Sequence, residues 1–571
     1  MTVGVVAAPL QDSIWLKLLR RLAAALYSRR AYDWLLPGKA PVELPVLPEE
    51  SWPGQPAKAD RLFQGRFIFA GLEVRSPHTA PWSVSAEQLK VDEASFAAWA
   101  AELHGFGWLA DFAAQGGEMA RRMSCSLLVS WLERHRRIQG LPWRADLAGR
   151  RLVNWLSYAH FLLQDADERF AHDFLLAIAR HAAHLGRAAR LAPPGLPRFS
   201  ALLGLAYAAE CLPPDARQDS AQHKQAAIRD LCVALDAQVL ADGGHVSRNP
   251  AHVLALLRDL VPLWRFLRAI DPERAGLLQP YLDRMAPMLR FFRHGDGGLA
   301  LFHGSDEGRA AEIERVLDAS EAKGKPLSSA SLSRFERAVA RRSLLLLDTG
   351  NPPPAIIGAQ PHRGLLAFEF SQGKDRLIVN CGAPRRVGSG RTADWANALS
   401  GVAAHSTLVL GRVEPEPAAR ISAVRHEQDG NIWFELEHDG WAAAYGGRLY
   451  RRRLFLAASG EDLRGEETVT AGAANAVPVE AVLRLHLHPG MQASLLGSGD
   501  TIILKTASGQ GWRFRSGGGV LRLEDSIYFG QGEAQQGGGL GAEARRTQQI
   551  VMAGSAGGED LVFKWALTKV G

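Results

Sequence analysis

The sequence predicts a two-part fold: packed amphipathic helices in the N-terminal half, then a large antiparallel β-sandwich. Three observations carry this. Up to about residue 320, apolar residues recur at i, i+3, i+4 and i+7, the stripe of a helix that buries one face. Beyond about residue 330 the period falls to two, in short runs ended by Gly, Asp or Ser, the pattern of half-buried strands joined by tight turns. The join between them, DASEAKGKPLSSASLSRF, is polar and rich in small residues, as a linker is.

Residues 1–60 form the first segment. The apolar residues from Ile14 to Leu26 are interrupted by Lys17, Arg20 and Arg21, which makes an amphipathic helix suited to lie on a surface or pack on the body. The charges break the apolar core that a signal peptide needs, and no run of about 18 uncharged apolar residues occurs. A cytoplasmic protein without a transmembrane span is therefore expected. Pro37 to Pro56 reads as extended coil. Residues 61–320 carry the helical segments SFAAWAAELHGFGWLADFAA, CSLLVSWLERHRRI, RRLVNWLSYAHFLL and HDFLLAIARHAAHLGRAARL, parted by breaks such as PPGLP, PPD and DGG. Helices joined this closely pack as antiparallel hairpins, in a bundle, a solenoid or a ring; periodicity does not choose among them. Residues 321–571 hold the strands, among them RSLLLLDTG, NIWFELEHDG, AVLRLHLHPGM and LRLEDSIYF. Their number and Gly-rich turns indicate a sandwich. The RRRL run at Arg451–Leu454 reads as a solvated strand edge.

Of the 571 residues, 47% are hydrophobic and 22% charged, as in ordinary globular domains, and the net charge is +6. This excess suits a polyanionic partner, or is an unremarkable basic surface. No basic-aromatic motif supports nucleic-acid binding. Cys125, Cys211, Cys232 and Cys381 form no CxxC pair, which points to buried thiols rather than a zinc finger or a disulfide framework.

One stretch concentrates proton-handling side chains. ADGGHVSRNPAH, from Ala241 to His252, places His245, Arg248, Asn249 and His252 ahead of the apolar helix VLALLRDLVPLW. Asn249 followed by Pro250 is a helix start, with the Asn as N-cap and the Pro at the first helical position. A second polar loop, FHGSDEG, offers His303, Asp306 and Glu307 as a site rim.

Together with LHGFGWL (Leu103–Leu109), LLAFEFSQGKDRLIVNCG, TADWANALSGVAAHSTLVL, HDGW (His438–Trp441) and RLHLHPG (Arg484–Gly490), these motifs resemble the heparinase II/III-like proteins, polysaccharide lyases with an (α/α) toroid followed by a β-sandwich. The AHSTL turn is the most specific element. The resemblance implies β-elimination on a uronic-acid glycan in a cleft between the two domains. One group neutralises the uronate, a base takes the C5 proton, and an acid protonates the leaving oxygen. It implies His405 as the catalytic histidine of the sandwich side. In related lyases the segment matching Asn249–His252 carries a tyrosine acid/base; Ala251 stands there in this chain. His245 or His252 would then supply a base, and Arg248 and Asn249 would hold an anionic group. The nearest counterpart of the family's Gly-Asn-His run is Gly195-Leu196-Pro197-Arg198, where Arg198 would replace the Asn as carboxylate binder, with Asn154 and Tyr158 as further candidates. Arg391 and His303 are further substrate contacts, and Tyr445 a substitute phenol. No cofactor is required, although a structural zinc held by His438, Asp439, His486 and His488 is possible, with Thr407 standing where another histidine ligand is expected. The expected partner is an anionic glycan. Two alternatives remain: a carbohydrate-binding protein that kept the fold but lost the chemistry, and a glycoside hydrolase drawing two carboxylates from Asp242, Asp296 and Asp306.

Overall fold

The structure, a computed structural model, describes residues 14–76, 80–213, 220–353, 361–383, 392–473, 476–530 and 544–570. Its longer helices are α1 (Ile14–Tyr27), α2 (Glu93–Gly105), α3 (Gly117–Arg134), α4 (Ala145–Ser157), α5 (Glu168–Ala188), α6 (Leu196–Cys211), α7 (Ser220–Asp236), α8 (Pro250–Ile270), α9 (Pro272–Phe291) and α10 (Ala310–Ala319). Several start where the chain supplies a side-chain acceptor for an orphan backbone N–H. Asp92 accepts from Ser95 N at 2.9 Å, Asp167 from Phe170 N at 2.7 Å, Asn249 from Ala251 N at 2.8 Å and Asp271 from Arg274 N at 3.0 Å. Each such cap stabilises its helix by about 1 kcal/mol.

Packing in the helical domain depends on residue size at one crossing. A Cβ on Gly204 of α6 would sit 2.6 Å from the Cα of Gly149 in α4, so the two helices meet backbone to backbone. Around them lies an aromatic core that includes Trp99, Trp131 and Trp155. Arg151 is wholly buried in it, 4.1 Å above the Trp131 ring, and donates to the carbonyls of His104 at 3.0 Å and Pro142 at 2.9 Å.

The C-terminal domain stacks two antiparallel sheets. One runs Gln492–Leu495, Thr501–Lys505, Gly511–Gly517, Leu561–Val570, Asp462–Val469, Tyr450–Leu456, Asn431–His438, Ile421–Gln428. The other runs Val520–Tyr528, Arg545–Ala556, Val479–Leu487, Asp375–Val379, Phe368–Gln372, Ser343–Asp348, Phe335–Ala340, Ser329–Ala330, with Leu408–Leu410 on the flank of Val479–Leu487. Period-two burial is clean in Asn431–His438, where Ile432, Phe434, Leu436 and His438 turn inward. The second sheet is more deeply covered: Ser343–Asp348 and Phe368–Gln372 are buried at every position, because the helical domain lies against them, with Leu344 and Leu346 in its core and His294 bonded to Glu369 and Ser371.

The segment from Pro37 runs without helix or strand, as expected, up to the helix Pro56–Phe63, which has its Pro at the first position. Two local readings change. A small hairpin, Arg66–Phe69 with Leu72–Arg75, lies in the helical half, its four-residue strands too short for a clear period. Strand Tyr450–Leu456 is interior rather than an edge, paired on both sides. Arg451 and Arg453 are exposed, but Arg452 faces the core beside Tyr450 and Leu454 and pairs with buried Glu467 at 2.8 Å.

Candidate functional site at the domain junction

Two Asp-Gly-Gly turns fasten the helical domain to the sandwich. After α7 the chain doubles back through a bridge between Val239 and His245, and after α9 through one between Arg293 and Leu299. Each Asp first accepts from its own turn: Asp242 from Gly244 N at 3.1 Å, Asp296 from Gly298 N at 2.9 Å. Each then reaches across. Asp242 takes the N–H groups of Leu332 and Ser333 and the Ser333 hydroxyl, at 2.7–3.0 Å. Asp296 receives the Arg376 guanidinium in a fork, at 2.7 and 3.0 Å. Glycine is required by contact at the first turn and just before the second: a Cβ on Gly243 would lie 1.9 Å from Arg284 O, and one on Gly295 1.9 Å from Gly373 O. Both carboxylates that a hydrolase reading could recruit from these turns are thus engaged in fastening.

Arg248 is the centre of the first junction. Nε donates to Ser333 O at 3.0 Å, Nη1 to Asn351 O at 2.8 Å and Nη2 to Arg334 O at 2.8 Å, and Nη2 pairs with Asp348. Its carbon lies 4.5 Å over the Phe335 ring. The guanidinium expected to grip a substrate is therefore saturated by the sandwich. It also sits at φ +58°, a left-handed conformation that a non-glycine residue holds only when its surroundings over-determine it; His303, at φ +50°, does the same.

His303, buried, turns Nε2 to Asp348 at 2.8 Å and to Arg248 Nη1 at 3.0 Å. Asp348 can only accept and Arg248 only donate, so the ring tautomer decides which contact is a hydrogen bond. Asp348 holds the imidazole N–H best, leaving Nδ1 as a lone-pair acceptor. Gly304 follows, and a Cβ there would approach His362 Nε2 at 3.3 Å. His362 lies 5.2 Å, centroid to centroid, from His405. His405 follows a single helical turn, Val402–Ala404. The next two residues pin it: Ser406 Oγ donates to Val379 O at 2.7 Å and Thr407 Oγ1 to Leu365 O at 2.8 Å. Buried Arg452 donates to the carbonyls of both Leu366 and Ser406, so one guanidinium fixes the loops bearing His362 and His405. Gly364 lets the His405 ring in, since a Cβ there would stand 2.4 Å from its Cγ.

The result is a file of three buried imidazoles across the junction. Among the described residues, His303 Nδ1, His362 Nδ1 and His405 Nε2 have no hydrogen-bond partner. Burial holds all three below the usual histidine range: His362 falls to about 3, His405 lies well below, and in His303 the Arg248 charge adds to burial while Asp348 opposes it. All three are therefore neutral at physiological pH, and an open ring nitrogen can accept a hydrogen bond.

The other expected residues go elsewhere. His245 and His252 share the Ser247 hydroxyl, at 2.6 and 2.7 Å, and hold the loop together; burial lowers His252 to about 4. Asn249 caps α8 and also donates to His303 O at 3.1 Å. Arg198 donates twice to Ala192 O, bracing the turn before α6. The Tyr445 hydroxyl accepts from Arg412 N at 3.0 Å and Val413 N at 3.2 Å, so this phenol braces a sandwich turn instead of serving the junction. Arg391 lies outside the described residues. The four suggested zinc ligands do not converge. His438 packs on Trp441 and Tyr450, Asp439 pairs with Arg420, His486 meets Ser526 and the Ala403 carbonyl, and His488 turns to Glu307. Among the described residues no three His, Cys, Asp or Glu side chains are arranged to hold a metal, so the donor set does not fit zinc. Two members of the junction gave no sequence signal: His362, in an unpatterned PHRG turn, and Asp348, at the end of a strand that reads as pure core.

Comparison with known proteins agrees with this architecture. Residues 322–566 match the family model described as heparinase II/III-like, C-terminal. Over that sandwich domain the chain is heparinase II/III-like. Its fold, helical toroid plus sandwich, is that of a heparinase III crystal structure (TM-score 0.72, 12% identity, covering 98% of this chain and 92% of that one). It is also that of a heparan sulfate lyase HepC mutant from Pedobacter heparinus (TM-score 0.62, 14% identity, 99% and 92%). Among curated proteins, the chain is 29% identical over 551 residues to FtsZ-localized protein C of Caulobacter vibrioides, covering 93% of this chain and 91% of that one.

Proposed function

We propose that this heparinase-like protein binds an anionic, uronate-containing glycan at the toroid–sandwich junction, without the full proton-transfer set of a lyase. One observation carries the reading. The junction keeps three neutral imidazoles with unfilled ring nitrogens, while the groups that would complete an elimination are committed or missing. Arg248 is bonded to the sandwich through all three of its nitrogens, the Tyr445 hydroxyl is taken by the Arg412–Val413 turn, and Ala251 cannot move a proton. Neutral imidazoles suit recognition, donating to sugar carboxylates and accepting from hydroxyls. The fold supports the same substrate class, since the similar structures include a heparan sulfate lyase.

The test incubates wild type and His405→Ala with uronate-containing oligosaccharides, following ultraviolet absorbance of the unsaturated product and thermal stability together. Stabilisation of wild type without an absorbance rise, lost in the variant, is expected. A rise in wild type that vanishes in His405→Ala would overturn this reading in favour of a working lyase with His405 as base.

A second reading concerns the place of work. Similarity over nearly the full chain to a relative named for localisation with FtsZ supports a cytoplasmic address at the division site. A fluorescent fusion expressed beside labelled FtsZ tests it, and an even distribution through the cell rejects it.

A further inference from the structure

The first helix is built the wrong way round for a helix that serves only its own domain. At about 100° per residue, α1 has three faces. Leu16, Arg20, Ala23 and Tyr27, spaced four, three and four residues apart, are its partly covered positions. This side meets the body: Arg20 donates to Leu191 O and to Ala192 O, and Tyr27 donates to Arg187 O at 3.3 Å with its ring 5.1 Å from His184. The most apolar residues lie elsewhere. Ile14, Trp15, Leu18, Leu19, Leu22 and Leu26 fall within an arc of about 140° that points away from the body. Ile14 and Trp15 are each 75% exposed and Leu22 67%, and no residue of α1 is buried. Trp34, 87% exposed, continues the apolar surface just beyond the helix.

The charge is one-sided as well. Between Ile14 and Tyr32 the chain carries Lys17, Arg20, Arg21, Arg29 and Arg30 and no acidic residue. Lys17 and Arg21 flank the apolar arc, where their stems can lie along it and their charges reach outward. An exposed apolar stripe of this extent marks an interaction surface. Basic flanks and exposed tryptophans give the occupant's chemistry: an interface with apolar depth and anionic headgroups.

We propose that α1 is an interfacial anchor that lies in the plane of an anionic lipid surface, with Ile14, Trp15, Leu18, Leu19, Leu22 and Leu26 in the acyl boundary and Lys17 and Arg21 at the phosphates. It lies rather than spans: its 14 residues give about 21 Å against a hydrocarbon core of about 30 Å, and no described helix is long and apolar enough to cross a membrane. Its attachment at Arg20 and Tyr27 fixes which side of the toroid faces the lipid. This anchor is independent of the glycan reading.

The experiment is co-sedimentation of the full chain with vesicles of phosphatidylcholine alone and of phosphatidylcholine mixed with phosphatidylglycerol, at low and high salt. Binding to the mixed vesicles, weakened by salt and by neutral lipid, is expected. Trp15→Glu with Leu22→Glu, at exposed positions, should weaken it at least about tenfold while thermal stability holds. Val520→Glu, at an exposed apolar residue of the sandwich, should bind as wild type. Absence of wild-type binding, or equal binding by the double variant, overturns the proposal. So does a dimer that forms without lipid and is split by the double variant, since a second copy would then cover the stripe.

Discussion

The two walls of the junction differ in what their polar side chains have left to offer. On the toroid side, Arg248, Asn249, His245, His252 and Asp242 form a closed set in which each group has a protein partner, and His303, tied to Asp348 through Nε2, keeps Nδ1 open. On the sandwich side, His405 and His362 are held by backbone and glycine contacts, and each keeps a ring nitrogen with no partner among the described residues. The densest polar stretch, Asp242–His252, thus marked the fastening, and two of the three open imidazoles, His362 and His405, lie outside it. A buried polar group costs free energy until it is bonded, so a crowded polar loop tends to satisfy itself; a group left unsatisfied is held by the rest of the fold.

The sharpest way to break this comparison is Arg248→Ala. It would strand Asp348 and His303 without their cation, and a loss of about 3–5 kcal/mol of stability in urea unfolding is expected. A loss under about 1 kcal/mol would mean that the fastening role is wrong. Acid is the next probe. A histidine held below its unfolded pKa of about 6.5 is neutral in the fold and charged in the unfolded chain between the two values, so it stabilises above about 6.5 and that contribution is lost as pH falls. His362, at about 3, and His252, at about 4, each add about 1.4 kcal/mol of loss per pH unit below about 6.5. Thermal unfolding between neutrality and pH about 5 should show a slope that His362→Gln flattens; an unchanged slope would remove His362 from the account. Gly364→Ala is expected to abolish glycan-induced stabilisation with a modest loss of stability, because its Cβ displaces the His405 ring. Asn249→Ala, which removes a cap, should cost about 1 kcal/mol and leave the glycan response in place.

The division into helices and strands was legible because burial imposes its period on the sequence. The RRRL run shows the limit. Alternation alone puts Arg452 on the face of Tyr450 and Leu454, yet three consecutive arginines read as solvent. The buried Glu467 that reverses this sits on the next strand, opposite Arg452 in the register. The site was half legible for the same reason. His405 sits in a patterned turn, and Asn249-Pro250 announces a cap. His362 and Asp348 become chemical only through neighbours distant in sequence. Tyr445 and Arg198 were attractive as residue types, but residue type does not say where a side chain is tied.

The saturated guanidinium of Arg248 has a consequence for genetics. In a screen for loss of function, Arg248 and Asp348 would score among the least replaceable positions in the chain, because their variants would lower the amount of folded protein in the cell. A map of intolerant positions would therefore light up at the junction whether or not the protein turns over a substrate. Only variants shown to preserve abundance can report on what the junction does.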